Sequence, residues 1–162
     1  MRRCNRVPSG RTHNRINIIA LLVILLSLFS LLKKPVLPFP SSYMESRRII
    51  IFSLAYLFGT FFLSPDLDVK SGPYNRWGVF KIIWLPYQFF GHRGILHHPV
   101  LGPVILTLTP AILLYFLLLL LNIDAGELPV WIWTSTLSGI FISIEIHCLS
   151  DLLWGKICRQ WR

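Results

Sequence analysis

The histidines and aspartates of this 162-residue chain fall in a few short segments whose spacing suits a divalent metal ion. The segment Gly91-His92-Arg93-Gly94-Ile95-Leu96-His97-His98 holds three of the five histidines. Imidazole nitrogen is a common ligand for zinc, manganese and iron. The glycines let the backbone bend so that separated rings converge, and Arg93 offers a planar fork for a phosphate or carboxylate. Ser64-Pro65-Asp66-Leu67-Asp68 puts two carboxylates two residues apart in a turn, where their repulsion is relieved by a shared cation. The same pattern also serves as a helix cap. His147 and Asp151 are spaced i, i+4, on one face of a helix. They can share an ion, or Asp151 can orient the imidazole. His13 stands alone in Ser9-Gly10-Arg11-Thr12-His13-Asn14-Arg15. Glu145, two residues from His147, points elsewhere and is expected behind the ligands rather than among them.

Four apolar runs must position these groups: residues 16–32, 49–63, 100–121 and 130–149. A helix crosses the hydrocarbon core with roughly 20 apolar residues and about 17 at the least. The second run reaches that length only with Arg47 and Arg48, whose stems can snorkel. The chain is 54% hydrophobic and only 14% charged, too little charge for a soluble domain of this size. The predicted fold is all-α. It is a polytopic membrane protein of about four transmembrane helices, near 16–32, 47–63, 100–121 and 130–150, forming a single membrane-embedded domain over 1–162. An even number of crossings separates His13, the 64–99 loop and His147, so they return to one membrane face. Within that loop Ser71-Gly72-Pro73 signals a turn. Residues 79–90, rich in Trp, Tyr and Phe, predict a short helix at the interface, interrupted around Pro86. Asn122 to Gly126, with Pro129, predicts a tight turn between the last two spans.

Charge orients the bundle. Twelve of the 16 Lys and Arg residues lie on the side that holds both termini: Arg2, Arg3, Arg6, Arg11, Arg15, Lys70, Arg76, Lys81, Arg93, Lys156, Arg159 and Arg162. The positive-inside bias places that side in the cytoplasm of a cell whose inner (plasma) membrane the chain crosses several times. The net charge of +9 is accounted for by topology and anionic headgroups. Scattered basic residues do not form the stripe that nucleic acid requires, so no nucleic-acid partner is expected; membrane lipids and a divalent metal are. Protein partners are not specified. After the first apolar run, Lys33-Lys34-Pro35-Val36-Leu37-Pro38 offers no small-x-small cleavage site, so the run is read as a retained helix. The three cysteines, Cys4, Cys148 and Cys158, have no C-x-x-C spacing and imply no disulfide framework. Cys148 reads as a small apolar filler.

Taken in order, Ser9-Gly10-Arg11-Thr12-His13, Arg15-Ile16-Asn17, Ser64-Pro65-Asp66-Leu67-Asp68, Arg76-Trp77-Gly78, Trp84-Leu85-Pro86-Tyr87, His92-Arg93 and His147-x-Leu-Ser-Asp151 resemble a prokaryotic family of uncharacterised metal-binding membrane proteins. The chain is also similar in pattern to inner-membrane metal-dependent hydrolases with an early His, a Pro-Asp-x-Asp, a His-Arg-Gly-x-x-His and a late His-x-x-x-Asp. The resemblance implies His13, Asp66, Asp68, His92, His147 and Asp151 as metal-site positions. The first family has Ser-His where this chain has His97-His98, which favours His98 as the further ligand; the wider group's spacing selects His97. Gly94 stands where the first family tends to have Ser, and Asn14 where it usually has Asp. Three or four histidines with three carboxylates exceed one tetrahedral zinc site. One or two ions of zinc, manganese or iron are therefore expected. The expected function is that of a metal-dependent hydrolase acting on a lipid or phosphoester-like substrate. Asp68 or Asp151 would be the general base, with Arg93 stabilising charge. The other reading is a non-catalytic metal-binding membrane protein: a sensor, scaffold or transport component.

Overall fold

A computed structural model describes residues 10–32, 46–89 and 95–160. All regular structure among the described residues is helical. Six α-helices follow in chain order: α1 Gly10–Leu32, α2 Ser46–Phe62, α3 Gly72–Arg76, α4 Leu85–Gln88, α5 Leu101–Leu120 and α6 Val130–Gln160. Four of them, α1, α2, α5 and α6, are long and apolar enough to cross a membrane. Leu22, Leu26, Phe29, Leu54, Phe116 and Leu120 are among the many large apolar side chains left on the outside. Such a surface suits hydrocarbon rather than water.

The four long helices form two antiparallel hairpins. α6 is the centre of the bundle: α2, α5 and α1 all pack on it, and α2 packs most closely. Small residues permit this. A Cβ on Gly139 would lie 2.5 Å from the Phe52 carbonyl oxygen, and one on Gly59 would lie 3.0 Å from Ser143 Cβ. Between apolar helices the driving force is close packing and interhelical hydrogen bonds. Tyr56 donates to the Asn17 carbonyl at 2.9 Å, and the Thr60 and Ser143 hydroxyls meet at 2.9 Å. The turn between α5 and α6 forms as predicted. Asn122 takes a left-handed φ of 55°, and Ile123 N–H reaches back to Leu118 O at 2.9 Å, a common helix stop. The Asp124 carboxylate accepts from Gly126 N–H at 2.7 Å.

The described residues between α2 and α5 form a chain of short helical turns. Residues Pro65–Asp68, Gly78–Trp84 and Ile95–His97 are 3-10 turns. It is fastened to α2 by its side chains. Arg76 donates to Phe61 O at 2.7 Å and Trp77 Nε1 to Phe62 O at 2.9 Å. These bonds satisfy carbonyls that the end of α2 leaves open. Trp84 is fully buried and meets Trp77 edge-on at 5.1 Å. Tyr87 bonds Thr109 of α5 at 2.7 Å.

Two helices run beyond the expected spans, and the aromatic stretch differs from expectation. α1 is already helical at Gly10, six residues before the apolar run, so His13 lies inside the helix. α6 runs about ten residues past the expected span end at 150 and carries His147 and Asp151 within it. At 31 residues it is about 46 Å long, more than the hydrocarbon thickness. The aromatic stretch is a 3-10 turn followed by the single turn α4, with Pro86 in the first turn of α4 rather than breaking one continuous helix. The loop at residues 33–45 lies outside the described residues.

Candidate metal centre

One end of the bundle gathers the start of α1, the exit of α2, the turn before α5 and the late part of α6. His13, Asp66, Asp68, His97, His147 and Asp151 meet there. His13 and His147 stack, with ring centroids 4.0 Å apart and planes 14° from parallel. Both rings are buried. Asp151 joins them, and the ligand atoms of His13, His147 and Asp151 all lie within 4.8 Å of one another. A second layer touches the first: His97 Nε2 is 3.4 Å from Asp66 Oδ1 and 3.9 Å from Asp151 Oδ2. His147 Nε2 is 3.9 Å from Oδ2 of both Asp66 and Asp151.

Hydrogen bonds decide which imidazole nitrogens are available. Ser150 Oγ donates to the His147 carbonyl at 2.8 Å, so toward His13 Nδ1, 2.7 Å away, it can only accept. Nδ1 then carries the proton of neutral His13, and Nε2 is the bare nitrogen. That bare nitrogen is 3.0 Å from Asp151 Oδ1. Two acceptors at this distance repel unless a cation or a proton lies with them. His147 Nε2 is buried with no hydrogen-bond partner among the described residues, which is costly for a polar atom. These two features fit a metal ion. An ion about 2.1 Å from its ligands sets neighbouring ligand atoms about 3.0–3.4 Å apart, near the low end of the separations here.

The carboxylate turn is held firmly. Ser64 Oγ accepts from Asp66 N–H at 3.3 Å, and Ser71 Oγ donates to Asp66 O at 2.7 Å. Asp68 is buried beneath His97, its Oδ2 3.5 Å from His97 Nδ1. It orients the ring so that Nε2 turns to the centre. Burial works against the charged form of His97, but the hydrogen bonds to Asp66 and Asp68 and their negative charge outweigh it. The imidazole is raised from 6.5 to about 9. The metal-free centre therefore carries a proton there at neutral pH.

His98 is exposed. Its Nδ1 accepts from Val100 N–H and Leu101 N–H, both at 3.3 Å, and so caps α5. Of the two adjacent rings, His97 is the one brought to the carboxylates. The cause is local. Gly102 has no side chain where the Leu96 carbonyl presses against it, and that contact seats the turn with His97 inward. His92 and Arg93 lie outside the described residues. Glu145 joins none of these contacts, and its Oε2 is buried without a hydrogen-bond partner. Cys148 packs in the apolar core.

Asp66 and His147 also line a cavity of about 470 Å³, together with Arg11, Asn14 and Arg76. Neither Arg11 nor Arg76 stood out as a site residue in the sequence, though both lie in the quoted motifs. Ser150 likewise carried no assigned role.

Residues 8–137 match the model of a family described as "Uncharacterized metal-binding protein (DUF2227)". The chain belongs to that family. The matched range holds His13, Asp66, Asp68 and His97; His147 and Asp151 lie beyond it. Family membership thus agrees with the donor set assembled at this end of the bundle. A stretch of 58 residues is 52% identical to an uncharacterized protein of Aquifex aeolicus (strain VF5), covering 35% of this chain and 41% of that relative. The chain thus spans about two fifths of that relative's length. No solved structure matches the chain.

Proposed function

We propose that this family member is a single-domain integral membrane protein of the inner (plasma) membrane, with both termini in the cytoplasm. Its bundle end on that side holds one or two divalent ions (zinc, manganese or iron) and hydrolyses a lipid or phosphoester-like substrate. The observation that carries the reading is the pairing of a ligand set with an adjoining cavity. His147 Nε2 has no hydrogen-bond partner among the described residues, and His147 and Asp66 line a cavity large enough for a small ester.

The residues divide the work. His13, His147 and Asp151 form the tight ligand triangle. Asp66 and His97 stand against it and complete the shell. A bound ion supplies Lewis-acid polarisation of an ester oxygen. Asp151, 17% exposed, and Asp66, 26% exposed, are the carboxylates open enough to accept a proton from an attacking water. Asp68, 1% exposed, is too enclosed for that part and holds His97 in position. Orientation rests on the excess of Lys and Arg on the side that carries both termini.

Elemental analysis of the protein purified in mild detergent tests the metal. Wild type retains about one or two ions per chain, and His147→Ala retains less. A phosphoester and carboxylester panel then tests the chemistry. No retained ion removes the proposal. A retained ion with no turnover of any ester leaves a sensor or scaffold.

A further inference from the structure

The cavity beside the metal centre is lined by groups of opposite character. Asp66 and His147 belong to the metal centre. Arg11, Asn14 and Arg76 line the same cavity. Arg11 and Arg76 are both exposed and line one cavity, a pair of guanidinium-bearing side chains suited to an anion. The one carboxylate among the lining residues, Asp66, is engaged by His97 at 3.4 Å. Neither Arg11 nor Arg76 forms an ion pair among the described residues.

Arg76 is also fixed in place. Its Nη1 donates to Phe61 O at 2.7 Å, and its Cζ lies 5.6 Å from the Phe61 ring centroid. A guanidinium has five N–H donors, so the remaining ones are held in a set orientation beside the cavity. Gly10 of α1 also lines the cavity. Asn14 contributes an uncharged amide donor. Paired guanidinium forks match the several equivalent oxygens of a phosphate better than the single carbonyl of a carboxylic ester.

We propose that this cavity is a phosphate subsite in which Arg11 and Arg76 hold the phosphate group of an ester against the metal side formed by Asp66 and His147. The proposal rests on the metal-centre reading and narrows its substrate to phosphate esters. The arginines take the outer phosphate oxygens and leave one oxygen directed to the metal side. The ester's remaining part extends out of the cavity mouth, so a lipid headgroup and a soluble phosphate ester share this chemistry.

The test uses the full chain in phosphatidylcholine nanodiscs, loaded with manganese, with metal content read by elemental analysis. Inorganic phosphate is titrated and followed by phosphorus NMR, where a nearby manganese ion broadens the line. Wild type gives saturable broadening. Arg11→Gln weakens phosphate binding roughly tenfold, the scale of one lost charge-assisted contact, and leaves metal content unchanged. Arg76 also supports the end of α2, so Arg11→Gln, which breaks no hydrogen bond or ion pair among the described residues, decides the matter. Arg11→Gln with wild-type phosphate affinity overturns the subsite. So does retained manganese with no saturable broadening in wild type, which leaves the metal centre standing. Failure to retain manganese removes the metal centre and the subsite together. Competition identifies the source: displacement by phosphatidic acid doped into the nanodisc marks a lipid headgroup, and displacement by glycerol phosphate alone marks a soluble ester. Failure of both to displace the phosphate counts against an ester ligand.

Discussion

Ser150→Ala tests the arrangement of the metal centre without touching a ligand. The hydroxyl accepts from His13 Nδ1 at 2.7 Å and donates to His147 O at 2.8 Å. Its removal leaves the Nδ1 proton without an acceptor in a ring that is 2% exposed. The ring can recover by moving its proton to Nε2, which then donates to Asp151 Oδ1 at the existing 3.0 Å separation. That tautomer is satisfied, but its ligand nitrogen is blocked. Metal binding must then break a hydrogen bond to a carboxylate, which costs about 1.5–3 kcal/mol. At about 1.4 kcal/mol per decade the affinity falls roughly 10- to 150-fold, similar to the roughly 10- to 100-fold effect of losing an outer partner of a ligating histidine. Ser150→Thr keeps the hydroxyl and the affinity. Competition against a chelator measures the affinity, and nitrogen NMR of His13 reads the tautomer. A folded Ser150→Ala protein that binds metal as tightly as wild type refutes the tautomer argument.

His97→Ala lowers metal affinity, whereas His98→Ala keeps the metal and loses about 0.5–2 kcal/mol of stability through the helix cap; elemental analysis and thermal melts separate the two. Gly139→Ala forces α2 and α6 apart at the Phe52 carbonyl and costs about 1–3 kcal/mol, read as a lower melting temperature with metal content retained. In the metal-free protein the His97 proton contributes stability that is fully present below its unfolded value of 6.5 and lost as pH rises through about 9. Thermal melts from pH 6 to 10 show that loss, and Asp68→Asn reduces it. Metal uptake displaces the same proton, so affinity rises with pH across this window; a flat chelator-competition profile would contradict the protonated ring.

The sequence carried the outline of the centre because parity is insensitive to detail. Four apolar runs, however long each helix turns out to be, return residues 13, 66, 97 and 147 to one end. Boundaries were less legible. Nothing in the composition marks Gly10 as the start of α1, since polar residues such as Thr12 and Asn14 are tolerated in the first turns of a helix. The choice between His97 and His98 could not be read from spacing. Both rings are adjacent to the same turn, and the decision comes from the Leu96 carbonyl packing on Gly102. Ser150 was hidden for another reason: its partner His13 is 137 residues away, and a hydroxyl has no spacing signature. Arg11 and Arg76 looked like ordinary topology-setting charges until the fold placed them around one cavity.

Beneath the candidate metal centre the packing favours the proposed chemistry at the rim over the alternative of passage through the bundle. One turn deeper, the polar side chains are committed to one another: Asn17 to Tyr56, and Thr60 to Ser143. Deeper again, Gly139 sits against the backbone of Phe52 and Tyr56 so closely that a methyl group has no room. Transport requires ligands near the bilayer midplane and two alternating exits. Here the helices are locked together just below the ligands by small residues and interhelical hydrogen bonds. The candidate ligands His13, Asp66, His97, His147 and Asp151 are gathered at one end, with a cavity beside Asp66 and His147. A rigid floor beside an open cavity would hold ligands in fixed geometry and leave room for a reacting group, as the proposed hydrolysis requires.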